Sequence, residues 1–113
     1  MKNNNESQLV KSILEAVNYY GYFWRNNTGA IKIQSPDGSR FVRFGVPGSA
    51  DIVGVYKGWF IAIEVKSKKG KQSEYQKLFE QHVTKNGGIY ILAYSVDDAL
   101  SIILKLKQKE IKW

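Results

Sequence analysis

The stretch that decides the fold is GVPGSADIVGVYKGWFIAIEVK, residues 45–66. It contains two runs rich in β-branched and aromatic residues, 51–56 and 59–66, separated by Lys57-Gly58. A short glycine-containing break between two such runs is typical of a tight β-hairpin. The sequence therefore predicts an antiparallel hairpin that is preceded by an irregular loop over residues 45–49.

The register of this hairpin decides which side chains meet across it. If Tyr56 pairs with Trp59, counting back along both strands brings Asp51 opposite Glu64. A four-residue loop closed one position further out gives the same register, whereas a three-residue loop or a bulge does not. Carboxylates that face each other across two strands repel, and a bound cation removes that repulsion. The pattern thus predicts a cation site between Asp51 and Glu64.

Alternation along the second strand supports this prediction. One face carries the β-branched residues Ile61, Ile63 and Val65. The other face carries Glu64 and Lys66, so we expect Asp51, Glu64 and Lys66 to converge on one side of the sheet. The alternative is an edge hairpin with a solvated face and an ordinary ion pair, because Glu-Val-Lys is a common tripeptide in strands.

The rest of the chain alternates between helical and extended patterns. Apolar spacing and capping signals predict helices over residues 6–20, 73–86 and 95–107. Extended patterns predict strands over residues 22–26, 30–34, 41–44, 51–56, 59–66 and 89–94. We expect N-caps among Asn3, Asn4 and Asn5, and capping boxes from Ser73 to Gln76 and from Ser95 to Asp98. The order predicts a mixed α/β fold with a central sheet flanked by helices.

The composition of the chain limits which partners and which metal ions we expect it to bind. The 113 residues fit one domain, 1–113, and their net charge of +7 indicates a polyanionic partner, most often nucleic acid. The alternative is a soluble basic protein without such a partner. The chain has no cysteine and one histidine, His82, which argues against zinc and leaves oxygen ligands for Mg²⁺ or Mn²⁺. We find no apolar leader and no apolar run of bilayer length, so we expect a cytoplasmic protein.

The motif at the hairpin resembles that of a known enzyme superfamily. Asp51 followed by Glu64-Val65-Lys66 resembles the Asp…Glu-x-Lys signature of the PD-(D/E)xK, or restriction-endonuclease-like, nucleases. Residues 45–54, the helix with Gln76 and the Gly87-Gly88 pair before a strand resemble the VRR-NUC branch. The resemblance runs from residue 6 to about residue 104, with Ala50 where many relatives carry proline.

The resemblance implies a fold and an activity. The fold would be a restriction-endonuclease-like core with the order α-β-β-β-α-β-α. The activity would be Mg²⁺-dependent hydrolysis of DNA phosphodiester bonds, with Mn²⁺ able to substitute. Asp51, Glu64 and the backbone carbonyl of Val65 would hold the metal. Lys66 would orient the attacking water, either as a base or as a positioning cation.

Two further residues are candidates through the same resemblance. Relatives place a glutamate of the first helix near the metal, and Glu6 lies within the apolar stripe of its helix while Glu15 falls opposite. The alternative is that Glu6 only complements the helix dipole. Gln76 matches a glutamine that faces the active site in relatives, although it also fits a capping box with Ser73. We expect His82 on the core-facing side of its helix, without a catalytic part.

Basic residues near the motif are candidates for DNA contacts, and they are Lys68, Lys69, Lys71, Arg25, Arg40 and Arg43. Short members of the family resemble junction-resolving nucleases, which implies structure-specific cleavage of branched DNA by a homodimer. The competing hypotheses are a nucleic-acid-binding module without catalysis and an unrelated α/β interaction domain.

Overall fold

The computed structural model describes residues 4–111, and within them it forms three helices and six strands. The helices are α1 (Asn4–Val17), α2 (Glu74–Lys85) and α3 (Val96–Ile111). The strands are β1 (Tyr22–Arg25), β2 (Gly29–Ser35), β3 (Gly38–Phe44), β4 (Ile52–Tyr56), β5 (Trp59–Val65) and β6 (Ile89–Ala93).

Four strands form a mixed sheet in the order β1-β4-β5-β6. The pairs β1/β4 and β4/β5 are antiparallel, while β6 runs parallel to β5 after a crossover through α2. The mixed α/β prediction is confirmed. The order α-β-β-β-α-β-α describes the helices and this main sheet, but two more strands, β2 and β3, are inserted between β1 and β4 as a separate hairpin.

The predicted register of the central hairpin is confirmed. Tyr56 pairs with Trp59, and the ladder continues to Ile52 and Ile63. Lys57 and Gly58 both have positive φ, 48° and 86°, which is the turn geometry that matches the twist of two-residue hairpins. Backbone pairing between β4 and β5 ends at Ile52. Asp51 is the residue just before this paired segment, and its side chain projects from there.

Both faces of the main sheet are covered, which places the hairpin in the interior. On one face α1 and α3 pack together, α1 against β1 and β5 and α3 against β6. The core there includes Val10, Ile13, Ile61, Ile63, Val65 and Ile103, all fully buried. On the other face Ala50, Val53 and Ala62 pack with Phe79 of α2 and Tyr90 of β6. The alternative of a solvated edge hairpin is wrong, because β4 and β5 are central strands.

Some local predictions differ from the structure. His82 is exposed, not core-facing, because Phe79 and Val83 form the inner face of α2. The first helix ends at Val17 instead of residue 20, and the chain turns before Gly21. Asn4 and Asn5 lie inside α1, and the predicted cap at Asn3 lies outside the described residues.

The two capping boxes have different outcomes. At α2 the box between Ser73 and Gln76 is complete, as predicted. At α3 the Ser95 hydroxyl accepts from the Asp98 N–H, but the Asp98 carboxylate accepts from the Tyr94 N–H instead of the Ser95 N–H. The reciprocal bond is therefore shifted by one residue.

None of the helices within residues 4–111 is both long enough and apolar enough to cross a bilayer.

Candidate active site

Asp51 lies where β4 begins and β5 ends. The backbone N–H of Val65 donates to Oδ2 of Asp51 at 2.8 Å, so the carboxylate occupies the position that the next carbonyl of the ladder would take. In an extended strand the N–H and C=O of one residue point to the same side. The Val65 carbonyl is therefore directed toward the side on which Asp51 lies.

Glu64 is a buried carboxylate with partners from two elements. It is 2% exposed, and the side-chain amide of Gln76 donates to its Oε2 at 3.0 Å. Lys66 Nζ lies 3.7 Å from the same oxygen, so the two side chains lie on the same side at the end of β5, as predicted. A buried carboxylate is costly unless such groups compensate it. Glu64 and Lys66 therefore form a prearranged charged pair inside the fold.

Gln76 makes both of the contacts that the sequence left open, one to the helix cap and one to the motif. Its Oε1 accepts from the backbone N–H of Ser73 at 2.9 Å and completes the cap of α2, while its Nε2 donates to Glu64. One amide thus joins the start of α2 to the buried carboxylate. This connection fixes the amide orientation, because the oxygen must face the Ser73 N–H and the nitrogen must face Glu64.

Glu6 comes to the site from the other side of the sheet. Its Oε2 accepts from the backbone N–H of Ser67 at 2.8 Å, which ties the first turn of α1 to the loop that follows β5. Glu15 of the same helix is exposed, as its predicted position on the outer side requires. The structure therefore places Glu6 beside the motif.

These side chains line one polar cleft of about 530 Å³. Its lining includes Glu6, Asp51, Glu64, Lys66 and Gln76, together with Arg25. Five residues that we predicted from separate segments of the sequence thus meet in one space. The cleft holds two cationic and three acidic side chains within reach of a bound molecule.

The donor set fits Mg²⁺ better than zinc. Within residues 4–111 no three His, Cys, Asp or Glu side chains are grouped closely enough to hold a metal by themselves. Asp51 and Glu64 offer two carboxylates, and the Val65 carbonyl is a third oxygen on the same side. Mg²⁺ commonly binds one or two carboxylates and keeps several waters, whereas zinc sites use three or four nitrogen, sulfur or carboxylate ligands.

Sequence reasoning missed Asn26. Its side-chain amide donates to the Ser49 hydroxyl at 2.8 Å and to the Ala50 carbonyl at 3.0 Å, and its N–H donates to the Asp51 carbonyl at 2.8 Å. These three bonds hold the loop that carries Asp51 against the end of β1. The sequence marked this position only as the end of the predicted strand 22–26 and the start of a turn, because the bonds connect residues more than twenty positions apart.

Gly48 fixes the distance between this loop and α2. A Cβ on Gly48 would lie 2.3 Å from the backbone C and O atoms of Tyr75, and its φ is +76°. Close backbone approach and left-handed geometry both require glycine here. The loop therefore rests directly on the first turn of the helix that carries Gln76.

Five of the six basic candidates lie at three places around the site. Lys68, Lys69 and Lys71 are exposed on the loop after β5, and none of them is among the residues that line the cleft. Arg25 lines the cleft itself. Arg43 lines a second groove of about 580 Å³, which shares Thr28, Gly48 and Tyr75 with the cleft.

Tyr90 lies behind the site on the face covered by α2. Burial raises the pKa of Tyr90 to about 12, and the carboxylates of Glu64, Glu80 and Asp51 act in the same direction. The Gln72 side chain lowers the pKa of Tyr90 and is the largest opposing influence, although among the described residues no hydrogen bond of good geometry reaches the buried hydroxyl. Tyr90 is therefore a neutral phenol at pH 7.

No protein-family model matches the chain, and no curated protein is detectably similar to it. The resemblance to the VRR-NUC branch therefore depends on the residues of this sequence alone.

Proposed function

We propose that this protein is a Mg²⁺-dependent DNA endonuclease that hydrolyses phosphodiester bonds. The observation that supports this best is the convergence of Asp51, Glu64 and Lys66 on one polar cleft. Glu64 is buried, and Gln76 and Lys66 already hold its carboxylate in place. Such prearranged charge is what a reaction with a highly charged transition state requires.

Each side chain has a role in this proposal. Asp51, Glu64 and the Val65 carbonyl would hold the ion, which would supply Lewis-acid polarisation of the phosphate and a water of lowered pKa. Lys66 orients the attacking water and offsets negative charge that builds on the phosphate. Gln76 keeps Glu64 oriented, and Arg25 binds a phosphate at the edge of the cleft. Glu6 positions the loop after β5 through Ser67.

We further propose that the substrate is branched or junction DNA and that a homodimer acts on it. Two strands must be cut to resolve a branch, and a twofold pair of identical subunits supplies two equivalent active sites. This part of the proposal is supported by the resemblance to the VRR-NUC branch.

The first experiment measures cleavage of supercoiled, linear and four-way-junction DNA with Mg²⁺ or Mn²⁺. We expect Asp51→Asn and Lys66→Met each to lower the rate by a factor of about 10² or more, because each removes charge that acts in the transition state. The matched controls are Asp97→Asn and Lys105→Met, which change the same charges at exposed positions of α3. Cleavage that survives in both site variants contradicts the proposal.

The alternative is a nucleic-acid-binding module without catalysis. Arg25 and Lys66 in the cleft favour it, as does the fact that within the described residues no group of three potential ligands forms a preassembled metal cage. Thermal unfolding with and without Mg²⁺ separates the two functions. At a concentration of 100 times Kd a specific site adds about 2.7 kcal/mol to the free energy of unfolding. A wild-type protein that binds DNA, gains no stability from Mg²⁺ and cuts nothing is the binding module.

A further inference from the structure

The hairpin formed by β2 and β3 has two different faces. Directly paired residues of an antiparallel ladder lie on the same face, and Lys32 pairs with Phe41 while Ala30 pairs with Arg43. We call this side the basic face, and it comprises Ala30, Lys32, Gln34, Ser39, Phe41 and Arg43. The opposite face carries Arg40 among apolar residues such as Ile31 and Val42.

The basic face is exposed and carries uncompensated charge. All six of its residues are exposed, and Phe41 is 73% exposed. It has no acidic residue, and within residues 4–111 the structure shows no ion pair for Lys32 or Arg43. Two cations around an exposed aromatic ring suit the phosphates and sugars of nucleic acid.

The basic face continues from the proposed active site. Its two residues nearest the base of the hairpin, Ala30 and Arg43, line the groove that shares Thr28, Gly48 and Tyr75 with the cleft. Seven residues per strand extend about 24 Å, which matches about seven base pairs of a duplex at ~3.4 Å each. The molecule is correspondingly elongated, with extents of 63, 30 and 24 Å.

We propose that the basic face of this hairpin binds the backbone of duplex DNA beside the cleavage site, with Lys32 and Arg43 on phosphates and Phe41 against a sugar. The inference rests on the proposed nuclease function and adds to it a second contact region, outside the cleft. It accounts for an exposed strand pair that contributes nothing to the main core. Binding should then depend on duplex length as well as on the cleft.

The test measures DNA binding instead of cleavage. The parent protein carries Asp51→Asn, and the variant carries Lys32→Gln and Arg43→Gln in addition. Binding of each is measured by fluorescence anisotropy with a labelled duplex of about 30 base pairs, which is long enough to cover the cleft and the hairpin. Glutamine keeps part of each aliphatic stem, so the hairpin retains its packing. The matched control is Arg40→Gln, which removes one charge from the opposite face of the same hairpin.

The expected result is a smaller dependence on salt. The slope of log K against log salt concentration is negative, and losing two phosphate contacts makes it less steep by about 1.8. The ratio of parent to variant affinity therefore shrinks about tenfold between 50 and 200 mM salt, while Arg40→Gln changes the slope by less than half as much.

Other outcomes contradict either the nuclease proposal or the role of the hairpin. A parent that binds no DNA removes both the nuclease proposal and this inference. If the wild type cuts DNA and the double variant keeps the salt slope of the parent, only the hairpin inference is wrong. If the slope is unchanged and sedimentation shows a changed oligomeric state, the hairpin is a contact between copies of the chain.

Discussion

At the residue scale, the carboxylates of the cleft differ in how they are held. Glu64 is buried and receives a side-chain amide from another element, whereas Asp51 and Glu6 each accept a backbone N–H. A substitution at each position therefore disturbs something different. Glu6 offers the most informative test, because its structural bond and its charge can be separated.

Glu6→Gln removes the charge and keeps an oxygen that can accept from the Ser67 N–H. If Glu6 contributes to the field around a bound ion, we expect the Mg²⁺ concentration for half-maximal cleavage to rise severalfold with little change in melting temperature. Glu15→Gln on the outer side of α1 is the control. If both variants changed the Mg²⁺ concentration for half-maximal cleavage equally, Glu6 would have only a structural role.

Tyr90→Phe removes a buried hydroxyl to which the described residues make no hydrogen bond of good geometry. We expect the free energy of unfolding at pH 7 to rise by about 1 kcal/mol, because an unsatisfied buried polar group is unfavourable. Chemical denaturation of the variant beside the wild type measures this. A lower stability for the variant would mean that the hydroxyl has a partner in solution.

The same variant tests the raised pKa of Tyr90. The unfolded phenol loses its proton near pH 10, while the folded one keeps it up to about pH 12. The native state thus binds more protons in this window, so this group makes the wild type lose stability as the pH rises from 10 toward 12. Tyr90→Phe should lose less stability than the wild type over that window, and identical losses would contradict the shift.

At the element scale, the site depends on how closely the loop before β4 approaches α2. That approach places Asp51 and Gln76 around the same cleft, although they lie 25 positions apart along the chain. Gly48 permits it, and Asn26 fixes the loop from the other side. The geometry of the site therefore depends on loop contacts as much as on the sheet.

Gly48→Ala tests this dependence. The added Cβ meets the backbone of Tyr75, and a φ of +76° costs a non-glycine residue about 1–2 kcal/mol. We expect a lower melting temperature and a loss of cleavage larger than the stability loss explains, because the loop must move away from α2. Gly58→Ala, at φ +86° with open space around it, is the matched control for backbone strain alone.

At the scale of the whole molecule, the main sheet and the hairpin of β2 and β3 differ in how they are packed. The four-stranded sheet is packed on both faces, whereas β2 and β3 pair with each other outside it. An isolated pair of strands is marginally stable in water. Contact with DNA or with a second copy would stabilise the hairpin more than the rest of the fold.

The homodimer predicted for branched substrates is tested by mass in solution. We expect sedimentation equilibrium to give about 26 kDa, twice the 12.9 kDa of one chain, with both strands of a four-way junction cut at equivalent positions. A mass of one chain that persists on junction DNA, together with paired cuts, would contradict the dimer.

The sequence by itself determined the elements and the local register. Period-two and period-3.6 patterns, the Lys57-Gly58 turn and the Ser73–Gln76 cap are local signals, so they predicted the central hairpin and α2 correctly. The tertiary structure decided the rest. The separation of β2 and β3 from the main sheet, the outward side of His82 and the loop bonds of Asn26 depend on contacts between distant segments, which no local pattern encodes. The cleft has the same origin, since its residues come from α1, the loop before β4, β5 and α2, and only packing brings them together.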